Sequence, residues 1–280
     1  MECYQEALEV RTKTRLRAEW AITQNALGLA WYDRPTGELG TNIDNAITCF
    51  EAALEVNTKE DAKPDWVRAK SNLCDAWREK PSGDRNANID KAIACYQEAM
   101  EVLAREDGRA DWARVQRARM QSNMGTAWRE KPGPDRAANV VNAMACYEAA
   151  LEVRTLKALP AGWAATKNGV GMAWLAMPRG DRAKNVEMAI LAFTEALSVR
   201  TRDDMPVQWA ETVSNLGDAW RALPTRDKGE NLRTAVACYG AAFEVYTRDG
   251  MPRDAEITQS KLEQAPCDQP RASRGARRRD

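Results

Sequence analysis

Asn215-Leu216-Gly217-Asp218-Ala219-Trp220 is one copy of a segment that the chain repeats. Aligned on the last residue, the copies end at Trp31, Trp77, Trp128, Trp174 and Trp220, spaced by 46, 51, 46 and 46 residues. A fixed period in this range marks a tandem array, in which each unit buries an apolar face against its neighbours. Around the quoted copy, Trp209, Leu216 and Trp220 fall at i, i+7 and i+11, one stripe of a helix running roughly from Met205 to Arg221. A break follows from Leu223 to Glu230. Asn231 then opens a second helix whose Ala235, Tyr239 and Ala242 share one face. Gly217, Ala219, Ala235 and Ala242 are small enough for two helices to approach closely, with Trp220 and Tyr239 filling the remaining space. Each unit is expected to be a helical hairpin.

The connectors repeat as well. Pro35, Pro81, Pro132, Pro178 and Pro224 end the first helices. Asn42, Asn88, Asn139, Asn185 and Asn231 stand where the second helices open. A side-chain oxygen there is expected to accept from a first-turn amide, contributing ~1 kcal/mol. Asp44, Asp90 and Glu187 in that turn suit the helix dipole. The Gly-Asp-Arg runs at 83–85 and 180–182 are read as turn residues rather than as an adhesion or phosphate motif.

Composition agrees with a helical protein: 44% apolar, 29% charged, and three Phe beside ten Trp. Lys plus Arg equals Asp plus Glu at 41 each, so no global field favours nucleic acid or an acidic membrane. No run of 18 apolar residues occurs, and Met1-Glu2-Cys3-Tyr4-Gln5-Glu6 has neither a basic n-region nor an apolar h-region, so a cytoplasmic protein is expected. The chain has no His, which removes the commonest general base and transition-metal ligand. Gly-rich phosphate loops are missing too. No catalytic residue, metal site or cofactor is therefore expected, and the chain is not expected to be an enzyme.

Five of the seven cysteines, Cys3, Cys49, Cys95, Cys146 and Cys238, occupy one repeat position. Equivalent helices of neighbouring repeats lie ~10 Å apart, too far for a disulfide, which needs Cα atoms within ~7 Å. All five are expected to be small buried hydrophobes in a reducing compartment. Cys74 replaces a Gly in repeat two and Cys267 lies near the C-terminal end; neither has a Cys at metal-ligand spacing.

The run Leu216-Gly217-Asp218-Ala219-Trp220, followed by Ala235, Tyr239 and Ala242, resembles the tetratricopeptide repeat, with Trp in place of the family's Tyr. The resemblance extends from about Cys3 to Leu262. Two features depart from it. The unit is 46 residues long, similar to bacterial-type arrays, and the early Trp lies one turn further upstream, at Trp20, Trp66, Trp163 and Trp209. The resemblance implies an all-α, right-handed α-solenoid of antiparallel helical hairpins over residues 1–264, about five full repeats plus a half repeat at each end. Its parts are a half repeat 1–17, repeats at about 18–59, 60–107, 108–157, 158–202 and 203–249, and a capping helix 252–264. Residues 265–280, with five Arg and little apolar content, are expected to form a disordered basic tail, either solvated or touching RNA or acidic partners.

Repeat three and the N-terminal end are irregular. Trp112 lies 16 residues before Trp128, where the other copies have 11. Five extra helical residues turn a helix start by ~140°, so Trp112 should leave the stripe, either to meet a partner or as a simple extension. The first residues match a second helix: Cys3, Tyr4, Ala7 and Leu8 correspond to Cys238, Tyr239, Ala242 and Phe243. An open apolar face there would serve self-association or continue a longer array.

In tetratricopeptide proteins the first helices line a concave groove for extended peptides or partner helices. Mapped from the Leu-Gly position, the groove-facing places are Ile22, Asn25, Leu29 and Tyr32; Arg68, Ser71, Asp75 and Arg78; Arg119, Ser122, Thr126 and Arg129; Ala165, Asn168, Met172 and Leu175; Glu211, Ser214, Asp218 and Arg221. The candidate partner-binding residues are Asn25, Arg68, Asp75, Arg78, Arg119, Arg129, Asn168, Met172 and Arg221. Arg68, Arg78, Arg119 and Arg129 offer pairs for the carboxylates of an acidic peptide. With Glu79 and Glu130 close by, a solvated, self-paired face is the other outcome. The resemblance thus implies a protein-interaction scaffold that binds a protein or peptide. The alternative is nucleic-acid binding through the central Arg rows and the basic tail, with affinity falling steeply as salt rises.

Overall fold

The structure is a computed structural model that describes residues 1–60, 63–105, 111–224 and 227–265. Among these it contains twelve helices and no strand, the all-α pattern of a helical-repeat solenoid. The chain divides into two compact units, Met1–Val153 and Arg154–Asp280. The first holds α1 (Glu2–Val10), α2 (Arg17–Tyr32), α3 (Leu39–Leu54), α4 (Lys63–Glu79), α5 (Arg85–Arg105), α6 (Asp111–Glu130) and α7 (Arg136–Leu151). The second holds α8 (Pro160–Ala176), α9 (Arg182–Leu197), α10 (Pro206–Ala222), α11 (Lys228–Arg248) and α12 (Pro252–Gln264). Consecutive helices pack within each unit: α2 with α3, α4 with α5 and α6 with α7 in the first, α8 with α9 and α10 with α11 in the second. First helices also touch their counterparts, α2 with α4, α4 with α6, and α8 with α10.

Four of the five hairpins close where a glycine on the first helix meets an aromatic ring on the second. A Cβ at Gly28, Gly125, Gly171 or Gly217 would lie 2.5, 2.9, 2.5 or 2.7 Å from the ring of Phe50, Tyr147, Phe193 or Tyr239. Those four rings are completely buried. The Trp that ends each Leu-Gly segment is only half-buried. In the first unit it carries a cation: Arg34 lies 5.2 Å from the Trp31 ring, Lys91 4.1 Å from Trp77 and Lys131 5.3 Å from Trp128. These Trp side chains cover the hairpin mouth with their apolar faces while their rings receive charge from solvent-side lysines and arginines.

The repeated asparagines do not cap the second helices. The helices begin three residues earlier than expected, and aspartates cap three of them: Asp181 Oδ1 accepts from Ala183 N at 2.9 Å, Asp84 Oδ1 from Asn86 N at 2.8 Å and Asp227 Oδ1 from Glu230 N at 2.9 Å. The asparagine amides instead donate back to the connector. Asn42 Nδ2 reaches the carbonyl of Thr36 at 2.9 Å, Asn88 that of Ser82 at 2.8 Å and Asn185 that of Arg179 at 2.8 Å. Asn139 and Asn231 do the same to Lys131 and Leu223. Asn185→Asp, which an N-cap position would tolerate, is therefore expected to destabilise as much as Asn185→Ala, about 1–2 kcal/mol by urea denaturation. An Asp variant as stable as the wild type would restore the capping role.

The Gly-Asp-Arg runs are turn chemistry, as expected. Gly83 and Gly180 have φ of 79° and 84°, a left-handed conformation that favours glycine. The following Asp caps the helix. The Arg then reaches back to the end of the first helix, Arg182 donating to the Leu175 carbonyl at 2.6 Å and Arg85 to that of Arg78.

In repeat three, α6 has 20 residues against 16 in α2, and Trp112 sits exposed in its first turn, off the buried stripe. α1 buries none of its residues, and Tyr4 and Val10 are exposed. α12 packs on α11 as a further first helix. Its Lys261 bridges to Ser214 Oγ at 3.1 Å and Asp218 at 2.7 Å. In that register Glu263 occupies the position held by glycine in α2, α6, α8 and α10. Of the expected tail, Ala265 is instead fully buried beside Ala235 and Tyr239, and residues 266–280 lie outside the described residues. No helix among the described residues is long and apolar enough to cross a membrane.

The expectation of five free, buried cysteines is overturned in more than one place. Cys74 and Cys95 form a disulfide, with Cα atoms 5.5 Å apart. The distance between equivalent helices of neighbouring repeats did not apply, because this pair spans one hairpin, α4 to α5. Cys49 is free and buried, Cys146 and Cys238 are free and only half-buried, and burial pushes the Cys49 and Cys146 thiols up to about 11. Cys3 is free and exposed, not buried as expected.

Candidate functional site

The first-helix face of the N-terminal unit is built by α2, α4 and α6. Neighbouring first helices are joined by a ladder of side-chain hydrogen bonds. Asn72 Nδ2 donates to Asn25 Oδ1 at 3.1 Å, and Asn123 Nδ2 donates to Asp75 Oδ1 at 3.0 Å. In the second unit, Asn215 Nδ2 donates to Asn168 Oδ1 at 3.1 Å. Asn25 and Asn168 are buried, so their roles are structural: Asn168 also donates to Glu211 at 3.2 Å.

Asp75 is the hub of the α4 segment. It accepts from the Tyr96 hydroxyl and from Asn123, and it faces Arg119 Nη2 at 3.9 Å. Burial raises the Asp75 carboxyl above the usual range, against the lowering effect of Arg78, the Tyr96 hydrogen bond and Arg119. Tyr96 is held well above its ordinary value by burial, reinforced by the Asp75 charge. The same position in other repeats obeys a simple rule. Tyr239 donates to Asp218 at 2.8 Å and Tyr147 shares a hydrogen bond with Thr126 at 3.0 Å, whereas Phe50 and Phe193 accompany Leu29 and Met172. A hydroxyl appears on the buried ring only where the first helix supplies an acceptor.

Between α2 and α4 the face opens into a pocket of about 190 Å³ lined by Leu29, Tyr32, Asp33, Phe50, Asn72, Asp75 and Arg119. Its lining combines the apolar Leu29 and Phe50 with one cation, Arg119, and two carboxylates, Asp33 and Asp75. Burial raises the Tyr32 hydroxyl beyond its ordinary range, reinforced by the Glu79 charge. Arg119, with 41% of its side chain exposed and only a loose pair to Asp75, is the cation most available to a ligand.

The other predicted residues fare differently. Arg78 and Arg129 keep only 17% of their side chains exposed and are committed to carboxylates. Arg78 meets Glu79 at 2.7 Å and Glu130 at 3.4 Å, Arg129 meets Glu130 at 3.0 Å, and Arg85 meets Glu130 at 3.2 Å. The self-paired outcome is the observed one for this row. Arg68 is exposed and pairs with Asp65, one turn away on its own helix, at 2.9 Å. Met172 packs against the cluster of Val186, Ala189 and Phe193. Arg221 lies beside Tyr239, lowering its hydroxyl pKa against the dominant effect of burial. The structure thus brings Asp75 and Arg119 together at one pocket and assigns Asn25, Arg78, Arg129, Asn168 and Met172 to holding the fold. Phe50, Asn72 and Asn123 were missed; the alternation of Tyr with Phe at the ring position was the available signal.

No group of three or more potential metal ligands occurs among the described residues. No protein-family model matches the sequence, and no curated protein matches it.

Proposed function

We propose that the chain is a protein-interaction scaffold that holds an extended peptide or a partner helix along the α2–α4–α6 face. The observation that carries this is the pocket whose apolar lining, Leu29 and Phe50, adjoins the accessible guanidinium of Arg119. An apolar side chain fits that lining, and a neighbouring ligand carboxylate completes the coordination that Asp75 at 3.9 Å leaves loose. The resemblance to tetratricopeptide repeats supports the same choice of face. Nucleic acid is the weaker fit, because Arg78, Arg85 and Arg129 are already paired with Glu79 and Glu130.

The test is selection of ligands from a random displayed-peptide library on the immobilised intact chain, followed by titration of wild type, Arg119→Glu and Leu29→Ser. Enriched peptides should carry an acidic residue beside an apolar one. Each substitution should weaken binding by about tenfold or more, with an unchanged helical spectrum. Peptides bound equally by all three proteins would remove the pocket from the site.

A further inference from the structure

Repeat two differs from the other four at one position, where Cys74 replaces the glycine that elsewhere receives the second-helix ring. The same geometry can be seen in repeat five without a disulfide: a Cβ placed on Gly217 would lie 3.2 Å from Cys238 Cβ. That is near the Cβ separation a disulfide requires, ~3.5–4.5 Å. The hairpin therefore aims its glycine position at the repeated second-helix cysteine, and only repeat two supplies a second sulfur. The residues that follow the two cysteines, Asp75 and Tyr96, are hydrogen-bonded to each other, and Asp75 lines the pocket.

We propose that Cys74–Cys95 is a reversible redox staple that sets the geometry of the α4 wall of the pocket. Its effect on ligand binding rests on the function proposed above; its effect on the hairpin does not. Cys74 is fully buried and Cys95 is 8% exposed, so exchange enters through Cys95. A small thiolate attacks Cys95 Sγ, forming a mixed disulfide and breaking the bond to Cys74, which leaves as a thiolate and takes a proton from water. A second small thiolate attacks the sulfur of the first, displacing Cys95 and producing the oxidised small disulfide. The reverse sequence, driven by a glutathione-type disulfide, restores the staple. In the reduced form the Lys70 carbonyl, 3.6 Å from Cys95 Sγ, can accept the new thiol. Cutting the link frees α4 from α5 beside Asp75, while the other hairpins keep their glycine contacts.

The experiment uses the intact chain with Cys3→Ser and Cys267→Ser, leaving the cysteines of the hairpins. After exposure to glutathione disulfide, alkylation and peptide mapping should find Cys74 linked to Cys95 and the other cysteines alkylated. Dithiothreitol should then lower the melting temperature by roughly 5 °C and speed hydrogen exchange in α4 and α5. With Cys74→Gly added, which restores the residue of the other repeats, the reductant should change neither. A library-selected peptide should change its affinity at least threefold on reduction of the protein carrying Cys74, and not of the Cys74→Gly protein. Free Cys74 and Cys95 after oxidation, or reduction without effect on melting and exchange, would overturn the staple. A staple that forms and melts as expected while peptide affinity stays constant would overturn the control of the pocket. If no peptide binds in either state, the proposed function fails and the mapping and melting results still decide the staple.

Discussion

Gly171→Ala is expected to destabilise the protein by about 2 kcal/mol or more, because overpacking a filled contact forces rings off their rotamers. The added Cβ meets Phe193 Cε1 at 2.5 Å and Cδ1 at 2.7 Å, and the ring has no exposed surface into which to swing. Helix propensity runs the other way, favouring Ala over Gly by ~1 kcal/mol, so the measured loss is the steric term less that gain. Gly240 separates the two effects. It lies inside α11 with nothing within 4 Å of a Cβ, and Gly240→Ala is expected to stabilise by ~0.5–1 kcal/mol. Adding Phe193→Leu to Gly171→Ala should recover part of the loss, a coupling of the kind contacting residues show. Urea denaturation of these three variants, together with Phe193→Leu alone, measures all of these. A Gly171→Ala protein as stable as Gly240→Ala would contradict the close glycine–ring approach that closes the α8–α9 hairpin.

Removing Glu130 is expected to cost about 2 kcal/mol, less than the ~3–5 kcal/mol typical of a fully buried pair because its partners keep some solvent contact. Glu130 is the shared acceptor of Arg78, Arg85 and Arg129, and the Nε atoms of Arg78 and Arg129 are buried with no partner among the described residues. Glu130→Ala leaves Arg129 without an ion partner among the described residues and Arg78 with Glu79 alone. Glu130→Gln keeps an acceptor and should lose less. Denaturation at low and high salt checks the assignment, since a paired network that is only partly exposed is screened less than surface pairs. A loss below ~0.5 kcal/mol would place this row among ordinary surface ion pairs. The same geometry explains why charge reversal at Arg78 and Arg129 cannot probe binding: it gathers four carboxylates and disrupts the fold itself.

The architecture was legible because periodicity reports burial. Leu216, Gly217 and Trp220 recur with the helical period, and a period of 46 residues leaves little but hairpins stacked on hairpins. The site was less legible, for reasons that are local. Arg78 and Arg119 both map to the groove-facing side of first helices in successive repeats, yet one is walled in by Glu79 and Glu130 while the other lines a pocket. That difference depends on where neighbouring helices lie, which spacing along one helix does not contain. Asn185 was misassigned because helix starts are set by Asp181 four residues before it, and an asparagine can donate as well as accept. Cys74 was passed over because its partner lies 21 residues away, across the hairpin rather than along the helix.

Where the ligand sits is tested most directly by hydrogen–deuterium exchange of the intact chain with and without a saturating library-selected peptide. Binding at the proposed site predicts slowed exchange in α2, α4 and α6, centred on the turns that carry Leu29, Asp75 and Arg119, with α3, α5 and α7 little changed. Protection confined to the second helices, or to residues from Arg154 onward, would contradict it.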